Sequence, residues 1–444
     1  MMEEIIQLAR ERGCEEAEVF VEKHQATVVE YGNNRLKKLE TAHSLFLALR
    51  VKKGGRLGFS TSTKPNDVQG LVERALRAAE FGRLADFSFA PPAELPAVEG
   101  FDPETAALPV EELVARGGRV VDGLRDLHPA LQISSRLALI STEIEVKTSQ
   151  GLSAAYRRTG YSHSAGGKLV EGQNFLYVGD GRHSARGEDV TSALIAEVRW
   201  AFERARVNVP VSSGRYPVIL TPRATAAVLA PVLASLNGQA VERRVSPFLG
   251  KKGQALFDPR ISLEDDPFWP WGAGTRPMDD EGIPARRKAL IDKGVLQNFL
   301  LDLASARALG EEPNSSARRS AGVVTPGPSN LIMEPGPKSY QEMLAAVPQG
   351  LLIDVLMGAW AGNPYGGWVN GNVMLGYKIE DGQVVGRIKD TMFSVNAFSA
   401  LKDQVVEVSR ERKWVDAAGP GSLGGGLYLP YLWLDGVSIS ARQG

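Results

Sequence analysis

The sequence predicts an α+β protein, with two small N-terminal helix–strand modules and a larger, strand-rich C-terminal domain. Its 444 residues are enough for about two to three domains. Helix-period and strand-period segments follow one another up to residue 206, and from residue 213 the chain becomes dense in Gly, Pro and short strand patterns. We therefore expect modules at 1–85 and 108–206 and a C-terminal domain at 213–441.

The first module has the pattern of a helix, several strands and a second helix. Apolar residues at helical spacing predict a helix at 2–12, which Gly13 ends, and Asn66 is the predicted N-cap of a helix at 67–81. Between these helices, runs of strand-forming residues separated by turns predict strands at 17–22, 27–31, 44–52 and 57–60.

The second module repeats this order of elements. Helices are predicted at about 110–127 and 189–206. The strands predicted between them are 131–139, 144–148, 153–159 and 174–179. The shared order resembles a degenerate internal duplication, although the residues themselves do not match. The Pro-rich segment 86–108 between the modules is either a linker or an extended wrap.

The C-terminal domain opens with a short buried strand at 214–222, which is followed by a helix at 223–237. This helix is apolar on almost every side, which is typical of a helix inside the core. After Gly238 the sequence is rich in strand and loop patterns, and one further amphipathic helix is predicted at 340–347.

Composition argues against several classes of protein. Lys and Arg number 51 against 52 Asp and Glu, so the basic excess of a dedicated nucleic-acid-binding protein is missing. The longest apolar stretch is shorter than the roughly 20 residues of a membrane span, and the acidic, amphipathic N-terminus is unlike a secretory signal. The single cysteine, Cys14, excludes an intrachain disulfide. We predict no nucleic-acid partner, no membrane association and a cytoplasmic location.

Residues that bind metals are scarce in the C-terminal domain. All five histidines lie at or before residue 183. Zinc sites mostly use Cys and His, so a zinc site in this domain would need carboxylates alone. His163 and His183 could form a metal pair, but separate histidines on polar faces are the commoner outcome. We therefore predict that the chain holds no metal and no cofactor.

The first candidate binding segment is an acidic loop that comprises Asp279, Asp280, Glu281 and Gly282. Its carboxylates could shape a substrate cleft, position a partner subunit or act in acid–base chemistry. Alternatively, the loop is a turn in which the carboxylates accept backbone N–H bonds and Gly282 has a positive φ.

The second candidate segment places two tryptophans around glycines. It comprises Trp360, Asn363, Gly366, Gly367 and Trp368. The glycines would admit a peptide main chain and the aromatic rings would pack on it, or the segment is a structural loop with partly buried tryptophans. We expect both segments to converge beside helix 223–237 and form a peptide-binding cleft, because loops on a rigid scaffold keep their backbone groups free.

Several strings in this chain, taken in order, resemble the TldD/PmbA family, once labelled modulators of DNA gyrase. The C-terminal strings are SGRYPVILTP (213–222), MDDEGIPARRKALIDKGVLQNFLLDLASARALG (278–310), PGPSNLIMEPG (326–336) and GYKIEDGQVVGRIKDTMFSVN (376–396). The N-terminal strings AEVFVEKHQATVVEYGNNRLKKLE and ALRVKKGGRLGFSTST resemble the opening of that family. The resemblance therefore covers nearly the whole chain.

The resemblance implies a cytosolic peptidase of two related subunits, TldD and TldE (also called PmbA), that acts on peptides and unfolded segments. In the zinc-bearing subunit, the helix after the SGxxPVxLxP strand carries HExxxH and a late Gly-rich loop carries a Cys ligand. A zinc-bound water and a Glu base then supply the chemistry. Here the helix region reads ATAAVLAPVLASLNGQAVERR (224–244) and the late loop reads AAGPGSLGGGLYLP (417–430), so both motifs are missing. The chain thus resembles the non-zinc, TldE type of subunit.

This resemblance implies a catalytically silent subunit that aligns peptides beside the zinc of a TldD-like partner. The alternative is a stand-alone homodimeric peptide-binding protein without catalytic activity. A hydrolase that uses Asp279 and Glu281 and a nucleic-acid-linked regulator are further alternatives, and the balanced charge disfavours the last. Strands within 17–60 carry apolar residues on both faces, so we expect the chain to form at least a dimer.

Overall fold

The computed structural model describes residues 1–172, 174–359, 361–416 and 426–441. It confirms the mixed α+β class: helices pack on an antiparallel sheet in the N-terminal part, and strands dominate the C-terminal part. Across these described ranges, no helix is both long enough and apolar enough to cross a membrane.

The N-terminal part is built on one antiparallel sheet. Its strands are β1 (Glu16–Gly32), β2 (Arg35–Lys53), β3 (Arg56–Ser62), β4 (Gln132–Thr148), β5 (Ser153–Glu171) and β6 (Asn174–Ser184). The helices of this part are α1 (Met2–Glu11), α2 (Val68–Glu80), α3 (Pro103–Ala106), α4 (Val110–Leu124) and α5 (Thr191–Ala205). The strand order is β3-β2-β1-β4-β5-β6.

Both predicted modules contribute to this one sheet. Each module has the order helix, strands, helix, as the sequence pattern indicates, but with three strands where four were predicted. The first two predicted strands of each module form one long strand, β1 or β4. The two halves meet where β1 pairs with β4, from Glu18 opposite Thr148 to Tyr31 opposite Ser135. The sheet therefore runs without interruption from the first module into the second.

The strands of this sheet are longer than the sequence pattern predicts. β4 passes through the polar segment 140–143, which was expected to separate two strands. Ser141 in this segment lies opposite Gln25 of β1 on one side and Thr159 of β5 on the other. Both neighbouring strands supply main-chain hydrogen bonds along this segment, and Ile140 and Thr142 are themselves strand formers, so the strand continues through Ser141 and Glu143.

The Pro-rich segment between the modules is an extended wrap. Phe89 and Ala90 are buried, and the Thr148 hydroxyl donates to the Ala90 carbonyl oxygen at 2.8 Å. Further along, the Trp271 amide donates to the Glu99 carbonyl oxygen at 3.1 Å. The segment therefore contacts both the N-terminal sheet and the C-terminal domain.

The C-terminal part contains one large sheet, a small hairpin and five α-helices among its described residues. Its first strands are β7 (Gly214–Leu220), β8 (Leu263–Asp265), β9 (Lys288–Asp292), β10 (Val295–Leu296), β11 (Ala317–Ser320), β12 (Val323–Pro326) and β13 (Asn330–Met333). They are followed by β14 (Gln349–Met357), β15 (Trp368–Glu380), β16 (Gln383–Arg387), β17 (Thr391–Asn396), β18 (Val405–Asp416) and β19 (Gly426–Ala441). The helices are α6 (Pro222–Leu236), α7 (Gly238–Glu242), α8 (Leu303–Leu309), α9 (Tyr340–Ala345) and α10 (Ala397–Asp403).

The large sheet closes on itself. Its path is β10-β9-β8-β13-β19-β17-β15-β14-β7, and β19 also pairs with β7. Strands β19, β17, β15, β14 and β7 therefore form a ring, while β16 extends it beside β15 and β18 beside β19. The hairpin of β11 and β12 stands apart from this sheet.

The predicted core helix is confirmed as α6. Thr221 caps it, Pro222 occupies its first turn, and Pro231 lies inside it. Val228, Leu229 and Val232 are fully buried in the main C-terminal core. The helix packs against β19, β14 and β18, so the apolar composition of 224–236 reflects contacts on several sides.

Candidate functional site

A cavity of about 320 Å³ lies where the N-terminal sheet meets the C-terminal domain, at the N-terminus of α6. Residues of β6 and α5 form one wall, and the β7–α6 turn, α9, β14, β15, β18 and β19 form the rest. This volume is at the small end of the range typical of ligand pockets. Its aromatic lining residues are Trp200, Tyr340, Tyr377, Trp414 and Tyr431.

The aromatic walls of this cavity are held by ring contacts. Tyr340 stacks on Tyr431 with 4.3 Å between ring centroids, and Trp200 meets Tyr377 edge-on at 5.6 Å. Within the described chain, the hydroxyls of Tyr340 and Tyr431 have no hydrogen-bond partner. Burial raises the pKa of Tyr340 to about 12, so its hydroxyl remains a donor at neutral pH. The cavity therefore offers flat apolar surfaces beside free phenol groups.

Arg223, the first charged residue of α6, organises one side of the cavity. Its Nε lies 3.1 Å from Asp354 Oδ1, and its Nη2 also contacts the Asp354 carboxylate. The Thr221 hydroxyl donates to the same carboxylate at 2.8 Å. Arg223 Nη1 donates to the Gly179 carbonyl oxygen at 2.6 Å, which joins α6 to β6 across the boundary of the two parts.

A second group of charges forms the opposite side. Lys413 Nζ lies 2.6 Å from Glu197 Oε1, and Arg182 Nη2 binds both oxygens of the same carboxylate at 2.5 and 2.6 Å. Burial raises the pKa of the Asp180 carboxyl, but Arg223, Arg182 and Lys413 lower it more, so it lies below its ordinary value. Acids and bases are thus balanced around the aromatic walls.

The acidic loop lies at the junction with the N-terminal sheet. Glu281 Oε1 is 2.6 Å from Arg50 Nη1, and its Oε2 accepts a hydrogen bond from the Leu303 amide at 2.8 Å. Arg50 also binds both oxygens of Glu18, at 2.9 and 2.5 Å. Glu281 is therefore engaged in a buried ionic network that joins β1, β2 and the C-terminal domain.

The neighbouring residues of this loop form the turn that was the alternative prediction. Asp279 accepts the amides of Glu281, Ile283 and Ala317, each at 3.0 Å. Gly282 has a φ of +82°, as that alternative requires. The carboxylate of Asp280 accepts the Arg319 amide at 2.6 Å, and Asp280 lines a second cavity.

The second candidate segment lies beside α6, except that Trp360 falls outside the described residues. Asn363 accepts the Tyr365 amide at 3.0 Å and caps a 3₁₀ turn at Pro364–Gly366 that packs on α6. Gly367 has a φ of +76° and faces the Phe398 ring of α10, and Trp368 is 58% exposed. This segment and the acidic loop pack on different neighbours, and their joint peptide contact stays a prediction.

Sequence reasoning did not single out the residues of the aromatic cavity. Trp200, Tyr340 and Tyr431 come from three distant elements, so no local motif connects them. One usable signal was Asp354, a lone acid in the apolar run GLLIDVLM, because a buried strand carboxylate requires a cationic partner. The other was Arg223, the basic residue at the head of an otherwise apolar helix.

Comparison with known proteins identifies the family. Residues 213–441 match the family model described as the PmbA/TldA metallopeptidase C-terminal domain, and residues 17–79 match PmbA/TldA metallopeptidase domain 1. The chain therefore belongs to the PmbA/TldD metallopeptidase family.

Individual proteins are similar to this chain over most of their length. The crystal structure of TldE from Thermococcus kodakarensis has a TM-score of 0.90 and 22% identity, with 99% of this chain and 100% of that chain covered. An uncharacterized protein of Methanocaldococcus jannaschii is 22% identical over 411 residues, which cover 91% of this chain and 94% of the relative. A metalloprotease of Methanothermobacter thermautotrophicus is 23% identical over 399 residues, which cover 84% and 83%.

The side chains of this chain do not fit the zinc centre that the family name implies. At the place where the resemblance puts HExxxH, α6 presents buried Val228, Leu229, Val232 and Leu233. In the described part of the chain, His, Cys, Asp and Glu side chains form no group of three that could hold a metal ion. Aliphatic side chains cannot ligate zinc, so no catalytic step at α6 is assigned to a metal.

Proposed function

We propose that the chain is a non-zinc, TldE-like subunit of a cytosolic metallopeptidase complex that handles peptides or unfolded segments, and that it is catalytically silent alone. The observation that carries this proposal is α6 itself. The helix that would bear the zinc motif is here a core helix whose side chains pack in the apolar interior. A subunit of this kind depends on a partner, a TldD-like zinc subunit, for the hydrolytic step.

The aromatic cavity supports a role in peptide binding. It opens at the N-terminus of α6, and Trp200, which is 37% exposed, forms part of its wall. Aromatic walls suit an apolar side chain, and the charged pairs Arg223–Asp354 and Lys413–Glu197 suit the polar main chain beside it. Other parts of the same peptide would contact the residues predicted from the sequence, among them Asp280 and Asn363.

The test is reconstitution with a zinc-bearing TldD-like subunit. We expect turnover of an unfolded peptide in the mixture, none by this chain alone, and zinc only in the partner. Trp200→Ala is expected to raise KM of the mixture, whereas Phe81→Ala, at a residue 88% exposed and outside the cavity, leaves it unchanged. Turnover by this chain alone after exhaustive chelation, or a mixture no more active than the partner, would contradict the proposal.

The alternative, a stand-alone homodimeric peptide-binding protein, is favoured by the free edge of β2. β3 pairs only with residues 47–53 of β2, so residues 35–46 have no neighbour on that edge within the described ranges. Nearly all of these residues are exposed. An unpaired edge of this length is a template for another strand, and a second copy of this chain can supply one.

A further inference from the structure

A second cavity, of about 280 Å³, lies between the N-terminal sheet and the hairpin of β11 and β12. Its charged lining consists of three arginines and two acids: Arg158, Arg318, Arg319, Glu22 and Asp280. This excess of guanidinium groups at an enclosed place is unusual, because buried arginines are ordinarily matched by carboxylates.

Arg319 is buried and only partly satisfied. Its side chain is 1% exposed, and its Nη2 binds Glu18 Oε1 at 2.5 Å and the Asp280 carbonyl oxygen at 3.1 Å. Its Nε and Nη1 have no hydrogen-bond partner in the described part of the chain. The guanidinium lies over the Phe20 ring, 4.8 Å from its centroid. A buried charged donor without an acceptor carries a large desolvation cost, so Arg319 adds positive charge to the cavity wall that its partners do not fully neutralise.

Arg318 is held by main-chain carbonyls. Its Nε and Nη2 donate to the Pro328 carbonyl oxygen at 3.0 and 2.6 Å. Burial, together with the positive charges of Arg276 and Arg158, lowers the pKa of Arg318 to about 9, against the attraction of Asp280. The negative charge near this guanidinium is therefore too small to neutralise it.

The two acids of the cavity are already engaged. Glu22 lies 2.9 Å from His24 Nε2 and 3.8 Å from Arg158 Nη2. One oxygen of Asp280 accepts the Arg319 amide. The remaining capacity of the arginines thus exceeds what these carboxylates supply.

We propose that this cavity is a binding site for an oxyanion, held by Arg158 and Arg318 in the positive field of Arg319. Guanidinium groups recognise the planar oxygens of a carboxylate and those of a phosphate by paired N–H bonds. The anion is either the C-terminal carboxylate of a peptide or free phosphate, and both present the same oxygens to Arg158 and Arg318. The site belongs to this chain alone and does not depend on the proposed partner subunit.

The experiment is calorimetric titration of the purified full chain in a chloride-poor buffer with acetyl-trialanine, its C-terminal amide and inorganic phosphate. We expect the acid, the phosphate or both to bind, and the amide to bind far more weakly. Arg158→Gln is expected to weaken anion binding by about tenfold or more, since a hydrogen bond to a charged group is lost. Arg158 is half-buried rather than fully buried, so this variant should fold.

Arg157→Gln is the matched control. Arg157 is the preceding residue of β5, so its side chain points to the opposite face of the sheet, where it stacks on Phe101 at 3.8 Å. It should leave anion binding unchanged. Binding of phosphate without the peptide acid supports the site and identifies a free anion as its ligand. The proposal is overturned if neither anion binds, if the acid binds but the amide binds as tightly, or if Arg158→Gln binds as the wild type does.

Discussion

Arg50 donates a buried hydrogen bond to Glu281, which joins the N-terminal sheet to the C-terminal domain. Arg50 Nη1 lies 2.6 Å from Glu281 Oε1, although 231 positions separate the two residues in the chain. Their side chains are 5% and 1% exposed. Since the same guanidinium binds the Glu18 carboxylate, one buried cation joins carboxyl groups from both parts of the molecule.

Arg50→Ala is expected to reduce the free energy of unfolding by about 3 to 5 kcal/mol, because it removes the buried guanidinium that binds both Glu18 and Glu281. Lys38→Ala removes one member of the exposed Lys38–Glu40 pair and should cost no more than about 1 kcal/mol. Urea unfolding followed by circular dichroism measures both. If both variants lose the same free energy of unfolding, the buried contacts of Arg50 contribute no more to stability than an exposed ion pair.

The stability of the protein should depend on pH through Glu281. Burial, together with the nearby acids Asp302 and Asp279, raises the pKa of its carboxyl to about 8, against the opposing effect of Arg50. Between the ordinary value of 4.5 and about 8, the folded chain retains a proton that the unfolded chain has lost, so this group's contribution to stability falls as pH rises.

In the Glu281→Gln variant the side chain does not titrate in this pH range. The stability of the variant relative to the wild type should therefore increase as pH is raised from about 5 to 8. Thermal unfolding of both proteins across this range provides the measurement. A difference between the two that stays constant with pH would contradict the raised pKa of Glu281.

Gly282→Ala should be clearly destabilising. Gly282 has a φ of +82°, and a Cβ there would lie 2.3 Å from Leu152 Cδ2 of the N-terminal part. Gly54 has a φ of +58° and open space around it, so Gly54→Ala reports backbone strain alone. The Gly282 variant is expected to lose roughly 1 to 3 kcal/mol more than the Gly54 variant in urea unfolding. Equal losses would mean that Leu152 moves aside freely.

Self-association is expected through the free edge of β2. Light scattering of the purified chain at micromolar concentration should give at least a dimer. Leu39 lies on this edge and is 51% exposed, and Leu39→Lys should shift the population towards monomer because a charge on an open edge opposes strand pairing. Phe81→Lys, outside the sheet, is the control. A wild-type monomer under these conditions would exclude this route to an oligomer.

The sequence predicted those elements whose pattern is local. The helix expected at 223–237 is observed at Pro222–Leu236, since an almost wholly apolar run between Thr221 and Asn237 has well-marked ends. The break predicted at 140–143 is wrong, because β1 and β5 pair with this segment on both sides and the strand continues through it.

Local sequence patterns predicted the candidate site less well than the fold. A dense acidic loop is typical of a functional loop and of a buried ionic junction alike, and only the positions of Arg50 and Arg319 reveal that Glu281 and Asp280 contact the N-terminal sheet and the hairpin. Long-range pairing of this kind leaves no trace in local spacing. The same holds for Tyr340 and Tyr431, which are brought together by α9 and β19.

The pairing of β1 with β4 has a consequence for the order of events during synthesis. Tyr31 of β1 lies opposite Ser135 of β4, which leaves the ribosome about 100 residues later. At a synthesis rate of about 5 to 20 residues per second, the edge of β1 that pairs with β4 stays unpaired for about 5 to 20 seconds. During that interval a nascent chain exposes main-chain donors and acceptors along β1, where a chaperone or another nascent chain can bind first.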